Sequence, residues 1–236
     1  CRAFPNHPQR SAHGCAFTSH GAMTMASTSS PAARRTRAVQ SFQSAAECIG
    51  PVHAGMGGLF AITRGQWSMI DAVLHCIDQL APEPVRLSLW TWTVAEYEIQ
   101  CIERLMLDKR IASAVLVIDH GARGKNKPLL DKWLSIFGKD SVRFVVNHSK
   151  IATIEAGNVR LLLRGSMNLN FNPRFEQFDM TEGGADFDMV REIESELPSL
   201  PIDCSSTEAY NASKVSGAFD QQTLSLFTKD LKPWAK

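Results

Sequence analysis

What this chain does not contain narrows its class before any motif is read. Its six cysteines, at 1, 15, 48, 76, 101 and 204, form no Cys-x-x-Cys pair and no Cys/His finger spacing. That argues against a zinc site and against a small disulfide framework, and it fits a reducing, cytoplasmic location. Long apolar runs are lacking as well. The longest, such as Ala112–Ile118, are strand-sized and fall far short of the roughly 20 residues that span a bilayer. No hydrophobic signal-peptide core is present, so a soluble protein is expected. Neither sign of charge dominates: 25 basic residues stand against 24 acidic ones, a net charge of +1. There is no global field to draw in a polyanion, and any site for one has to be local. Internal repeats are absent too.

The distribution of charge says more than its total. Cys1 to Ala46 holds five arginines and not one Asp or Glu, which leaves 20 basic and 24 acidic residues beyond it. An acid-free stretch rich in Ser, Ala and Arg has the composition of an organelle transit peptide or of a disordered tail. Met23 and Met25 offer alternative starting positions downstream of Cys1. Residues 1–46 are therefore expected to be a disordered or non-native leader. The 44% hydrophobic content of 236 residues then suffices for one sizeable core, not two.

Along the remainder, periodicity predicts alternating elements. Met69, Ile70, Val73, Leu74, Ile77 and Leu80 recur at helical steps until Pro82 and Pro84, predicting an amphipathic helix. Val85–Trp92 reads as a strand, and Trp90 and Trp92 on it share a face as core or interface residues. Val94–Leu107 returns to helical spacing, and Ala112–Ile118 reads as a buried parallel strand. Asp119–Lys127 reads as a Gly- and Lys-rich loop leading to a helix at Pro128–Phe137. Ser141–Val146 is the next predicted strand. His148–Ile154 and Val159–Leu163 are then two more, joined by a turn at Ala156-Gly157-Asn158. The expected fold is α/β: a mixed, mainly parallel sheet flanked by helices, as a domain over 47–185. Beyond it, weak helical patterns around Val190, Ala209 and Leu226 predict a helical extension over 186–236.

Chemistry concentrates in N-H-S-K-I-A-T-I-E-A-G-N-V-R-L-L-L-R-G-S-M-N-L-N-F-N-P-R-F-E, residues 147–176. Residues two apart in a strand face the same way, so His148 and Lys150 present an imidazole and an ammonium together. Such a pair suits an anionic phosphorus centre: the ring can attack it, and the ammonium can hold the non-bridging oxygens as they gain charge. Gly165 lets backbone come close, and the Ser166 hydroxyl and Asn168 amide can donate to phosphate. Ser166 equally suits the N-cap of a following helix with Asn168 in its first turn. Arg123, Lys125 and Lys127 form a basic segment able to track a nucleic-acid backbone, or simply a solvated one.

H-S-K followed by G-S-M-N resembles the H-x-K-x4-D-x6-G-S-x-N signature of the phospholipase D superfamily, and N-P-R-F-E at 172–176 resembles its downstream Asn-x-x-x-Glu element. Two positions depart from the pattern. Glu155 stands where the family has Asp, and nine residues separate it from Gly165, three more than in the family. A longer hairpin is expected to absorb these at its tip.

The resemblance implies a phospholipase D-like fold and a phosphodiesterase that needs no metal and no cofactor. His148 becomes the nucleophile or its general-acid counterpart, Lys150 and Asn168 phosphate ligands, and Glu176 the carboxylate that fixes the imidazole tautomer. It also implies two histidines per reaction, and this chain has one motif: His120 lacks the Lys and the G-S-x-N that would make a second. A homodimer with its two-fold axis through the site resolves the count. The leading expectation is a nuclease acting on nucleic acid. Alternatives are a phospholipid hydrolase or transferase of the same fold and a catalytically silent binding module.

Overall fold

A computed structural model describes residues 36–40, 44–170 and 173–214. The leader up to residue 35, Asn172 and the pattern around Leu226 lie outside the described residues. The elements follow in the order β1 (Thr36–Gln40), α1 (Ala45–Ile49), β2 (Gly58–Thr63), α2 (Met69–Gln79), β3 (Val85–Thr91), α3 (Glu96–Leu107), β4 (Ile111–Asp119), α4 (Arg123–Phe137), β5 (Val142–Val145), β6 (Ile151–Ala156), β7 (Val159–Gly165), β8 (Glu176–Glu182), α5 (Ala185–Glu196) and α6 (Ser206–Ala212).

The eight strands form one sheet in the order β1-β2-β8-β7-β6-β3-β4-β5. The sheet is mixed, as expected. β3, β4 and β5 run parallel, as do β1 and β2. The four remaining pairings, around β6, β7 and β8, are antiparallel, so the parallel share is smaller than the pattern suggested. The expected boundary at residue 46 moves: β1, inside the segment set aside as leader, is the sheet's edge strand, and Arg37 ties it to α1 by donating to the Cys48 and Ile49 carbonyls.

Helices cover both faces because the strands between them are apolar on both. On one face Ile70, Val73 and Ile77 of α2, Ile99 and Ile102 of α3 and Trp133 of α4 meet Leu89, Leu116, Phe144, Leu163 and Phe178 of the sheet, all essentially buried. On the other, Phe187 and Val190 of α5 cover Trp90, Val117, Val145 and Leu162. Each such side chain taken from water contributes roughly 1.5–3 kcal/mol. Trp90 settles as core, its Nε1 donating to Ser88 Oγ at 3.1 Å and to Glu194 at 3.3 Å. Residues 185–212, expected as an extension, thus supply the second layer of the domain.

The expected loop over Asp119–Lys127 is instead a 3-10 turn, His120–Ala122, running directly into α4. Asp119 caps that turn, its carboxylate accepting from the Gly121 N–H at 2.8 Å, and a capped start outweighs the local Gly and Lys content. β6 and β7 pair along their whole length, from Ile151 opposite Arg164 to Ala156 opposite Val159. Only Gly157 and Asn158 make the turn, Gly157 at φ 52°, a conformation glycine adopts without steric cost. The three extra residues between Glu155 and Gly165 therefore lengthen the ladder, not the tip.

Candidate active site

The parallel strands β3, β4 and β5 end on one side of the sheet, and the chain leaving β5 crosses there before entering β6. His148 and Lys150 lie in this crossing, not in a strand: the ladder begins only at Ile151. The reason is Asn147. Its backbone N–H donates to Asp119 Oδ2 at 3.0 Å, its amide donates to the Thr91 carbonyl at 3.1 Å, and its Oδ1 accepts from the Ser149 N–H at 2.9 Å. An Asn that bonds its own backbone two residues on makes a local turn that competes with strand pairing. Asn147 is buried and pins the His-Ser-Lys segment to the ends of β3 and β4.

The imidazole and the ammonium still meet, by this turn instead of by strand alternation. Lys150 Nζ lies 3.0 Å from His148 Nδ1 and donates to the His148 carbonyl at 2.5 Å. As an ammonium it has no lone pair, so Nδ1 accepts and the neutral ring carries its proton on Nε2. His148 is exposed, whereas Lys150 is only 6% exposed. Burial pushes the Lys150 ammonium below the ordinary lysine range, and the charge of Glu176 opposes that shift.

Glu176 opens β8 and is buried. It accepts a hydrogen bond from Ser166 Oγ, which in turn accepts from the Gln177 N–H at 2.9 Å. The resemblance assigned a carboxylate to the ring; the group on Nδ1 is Lys150, and Glu176 carries Ser166. No helix follows Ser166, which removes the capping alternative: the backbone of residues 166–170 bends away, and Leu169 bridges to Val94. Asn168 sits in that bend with its side-chain oxygen buried and without a hydrogen-bond partner among the described residues. Gly165 is explained by the fold. Its N–H donates to the Lys150 carbonyl at 3.1 Å, and a Cβ there would come within 2.2 Å of the Gln177 carbonyl oxygen. The close approach is to β8.

The other candidates fall elsewhere. Arg123, at the start of α4, donates to the Cys204 carbonyl; Lys127 pairs with Asp131 at 2.8 Å; Lys125 is exposed. Glu155 lies near the far end of β6, roughly 13 Å from Ile151 at strand rise, facing Arg86 across 4.0 Å. His120 Nε2 is 3.3 Å from the Cys204 carbonyl and His75 Nε2 2.7 Å from that of Gly50, so both rings are engaged with backbone.

Two residues near the histidine were not legible as site residues. Asn147 had no role in the motif, and its Asx turn is the only local signal. Trp92 was paired with Trp90, but the chain turns out of β3 at Thr91, and the Trp92 ring ends 47% exposed with its centroid 6.3 Å from that of His148. Among the described residues no three His, Cys, Asp or Glu side chains converge as a metal site, and no helix is long and apolar enough to cross a membrane.

No protein-family profile matches the chain, and no curated protein matches it. Among solved structures it is similar to NucT from Helicobacter pylori, at 14% identity and a TM-score of 0.40, over 58% of this chain and 92% of that one.

Proposed function

We propose that this chain is a phosphodiesterase of the phospholipase D-like type, in the first place a cytoplasmic nuclease, acting without a metal through a phosphohistidine at a site shared by a homodimer. The observation that carries this reading is the His148–Lys150 contact at 3.0 Å, held at the sheet end together with Gly165, Ser166 and the buried Glu176. The nucleophile and the cation that phosphoryl transfer needs are adjacent, one exposed for attack and one desolvated for oxygen binding.

In this scheme Nε2 of one His148 attacks phosphorus. A P–N bond forms as the P–O bond to the leaving group breaks, and the leaving oxygen takes a proton from the partner subunit's His148. Water then attacks phosphorus, its proton passes to that second ring, and the P–N bond breaks. Both roles need a proton on Nδ1: the nucleophile so that Nε2 has its lone pair, the acid so that the ring is an imidazolium. Lys150 covers Nδ1 in the free protein, so phosphate entry has to draw Nζ onto the non-bridging oxygens, and the nucleophilic ring then gives up its Nε2 proton to solvent and takes one on Nδ1. Glu176 supports the ammonium and holds the Ser166 hydroxyl, and Asn168 supplies its amide to the phosphate.

The test is a gel assay with plasmid and single-stranded substrates, with and without EDTA. Cleavage that persists in chelator supports the reading. Activity lost to EDTA and restored by magnesium overturns it, because histidine and lysine would then not be doing the metal's work. Hydrolysis confined to phospholipid vesicles would replace the substrate, and binding of nucleic acid without cleavage would leave a silent module.

A further inference from the structure

Lys150 and Ser166 line a groove of about 480 Å³ that continues along β6, β7 and β8 past Ile151, Arg164, Gln177 and Asp179. The ladder fixes the order of its floor. Ile151 is opposite Arg164, and Arg164 is opposite Asp179, so these three side chains stand in one row on one face. Arg164 is pinned on two edges: Nε donates to Asp179 Oδ1 at 2.8 Å and Nη1 to Asp186 Oδ2 at 2.7 Å. Its Nη2, with two N–H groups, has no hydrogen-bond partner among the described residues, and the side chain is 39% exposed. Two carboxylates are more than an arginine needs for neutrality. What they add is direction: a planar guanidinium held on two edges presents its third in one orientation, at little further entropic cost to a ligand.

We propose that Arg164 is a second phosphate-binding residue, taking the phosphate next to the scissile one in a polynucleotide strand. This rests on the phosphodiesterase reading and deepens it by adding a subsite for the neighbouring phosphate. Lys150 lies just ahead of the ladder, its carbonyl accepting from the Gly165 N–H at 3.1 Å, and Arg164 is the residue before Gly165 on β7; both line the groove and offer it two cationic points. A substrate with consecutive phosphates engages both, whereas a diester with a single phosphate engages Lys150 alone. Asp179, on the same floor, repels a strand that strays beyond Arg164, so the row sets register as well as affinity. Sequence patterning could not show this, because Arg164 reads there only as the polar end of an apolar strand.

The test compares Arg164→Gln and Arg164→Lys with the wild type on bis(p-nitrophenyl) phosphate, which has one phosphate, and on a single-stranded oligonucleotide. Fluorescence anisotropy of oligonucleotide binding across a salt series accompanies the kinetics. Arg164→Gln should raise the oligonucleotide KM about tenfold, as expected for a lost charge-assisted hydrogen bond, and leave turnover of the small diester within about twofold. The slope of log K against log salt should flatten by about 0.7, one phosphate contact on a single strand. Arg164→Lys should restore the salt slope but only part of the KM, since it keeps the charge and loses the fixed fork. Equal losses on both substrates, or an unchanged oligonucleotide KM and salt slope, overturn the proposal. So does a change in solution mass of Arg164→Gln, which would make the groove wall a subunit interface. If the wild type cleaves neither substrate, the phosphodiesterase reading falls, and the anisotropy series still decides whether Arg164 contacts a phosphate.

Discussion

Two polar segments leave neighbouring parallel strands at the same end of the sheet, and they use their charges in opposite ways. After β4 the chain runs at once into a capped 3-10 turn and α4, and two of its three cations are engaged by other groups of the protein: Arg123 by the Cys204 carbonyl and Lys127 by Asp131. After β5 the chain makes an Asn147 turn instead. There the backbone bonds are satisfied by Asn147, Asp119 and Thr91, so the imidazole is left free to project and the ammonium is held beside it. In sequence the first segment is the more basic. Cation density along the chain thus does not mark where an imidazole and an ammonium are held together, whereas a segment whose backbone is anchored by other groups can keep its side chains for chemistry.

The sharpest way to break this comparison is to remove the groups on each side of it. His148→Ala and Lys150→Ala should each cost at least about 1,000-fold in kcat and move the thermal midpoint little, because neither side chain supports the core. Purified His148→Ala with near-wild-type turnover would end the site assignment. If the site is shared, subunit exchange of equal amounts of wild type and His148→Ala should leave about one quarter of the activity, against one half for chains acting alone. A straight-line decline with mutant fraction would exclude sharing.

Asn147→Ala should come next in size. It strands a buried Thr91 carbonyl and the Ser149 N–H, a cost of about 1–3 kcal/mol in denaturant unfolding. Activity should fall more than stability accounts for, since the crossing loses its anchor. Equal stability of mutant and wild type would show that the turn forms without it.

A smaller effect tests the electrostatics. Burial lowers the Lys150 pKa and Glu176 raises it, so Glu176→Gln leaves burial unopposed and the pKa falls further. The alkaline limb of the kcat/KM profile, where Lys150 loses its proton, should therefore move to lower pH. The same sign predicts a fold that gains stability as pH rises from the lowered Lys150 value toward the ordinary lysine value, since the unfolded chain binds the extra proton in that window. A limb that stays put or moves upward contradicts the assignment. Smallest of all, Lys125→Ala should change stability by less than about 0.5 kcal/mol, and oligonucleotide cleavage hardly at all. A large loss of cleavage there would restore the start of α4 as a nucleic-acid track.

How much of this was readable beforehand depends on which force set each element. α2, α3, β3 and β4 follow hydrophobic periodicity, and periodicity showed them. β8 escaped notice because E-Q-F-D-M-T-E has only Phe178 and Met180 as apolar signals; Glu176 and Glu182 complete its buried face as carboxylates, which pattern counts as solvent-facing. β1 escaped for a different reason, since an acid-free, Arg-containing composition outweighed a five-residue strand. In the site, the residue types were legible and their supports were not. His148 and Lys150 are in contact, and Lys150 and Ser166 line one groove, but the carboxylate under Ser166 and the anchor at Asn147 depend on atoms from Thr91, Asp119 and Glu176, which no spacing rule connects.

The position of β8 has a consequence for the order in which the molecule can be made. It lies between β2 and β7, so a chain emerging from the ribosome can join β3, β4, β5, β6 and β7 while β1 and β2 have no place in that sheet. They must wait, at about 5–20 residues per second, for residues 176–182 to arrive and bridge the two halves. The same segment brings Glu176. The last strand to be made is thus also the one that completes the proposed site, and an unfinished chain holds His148 and Lys150 without the Glu176 carboxylate.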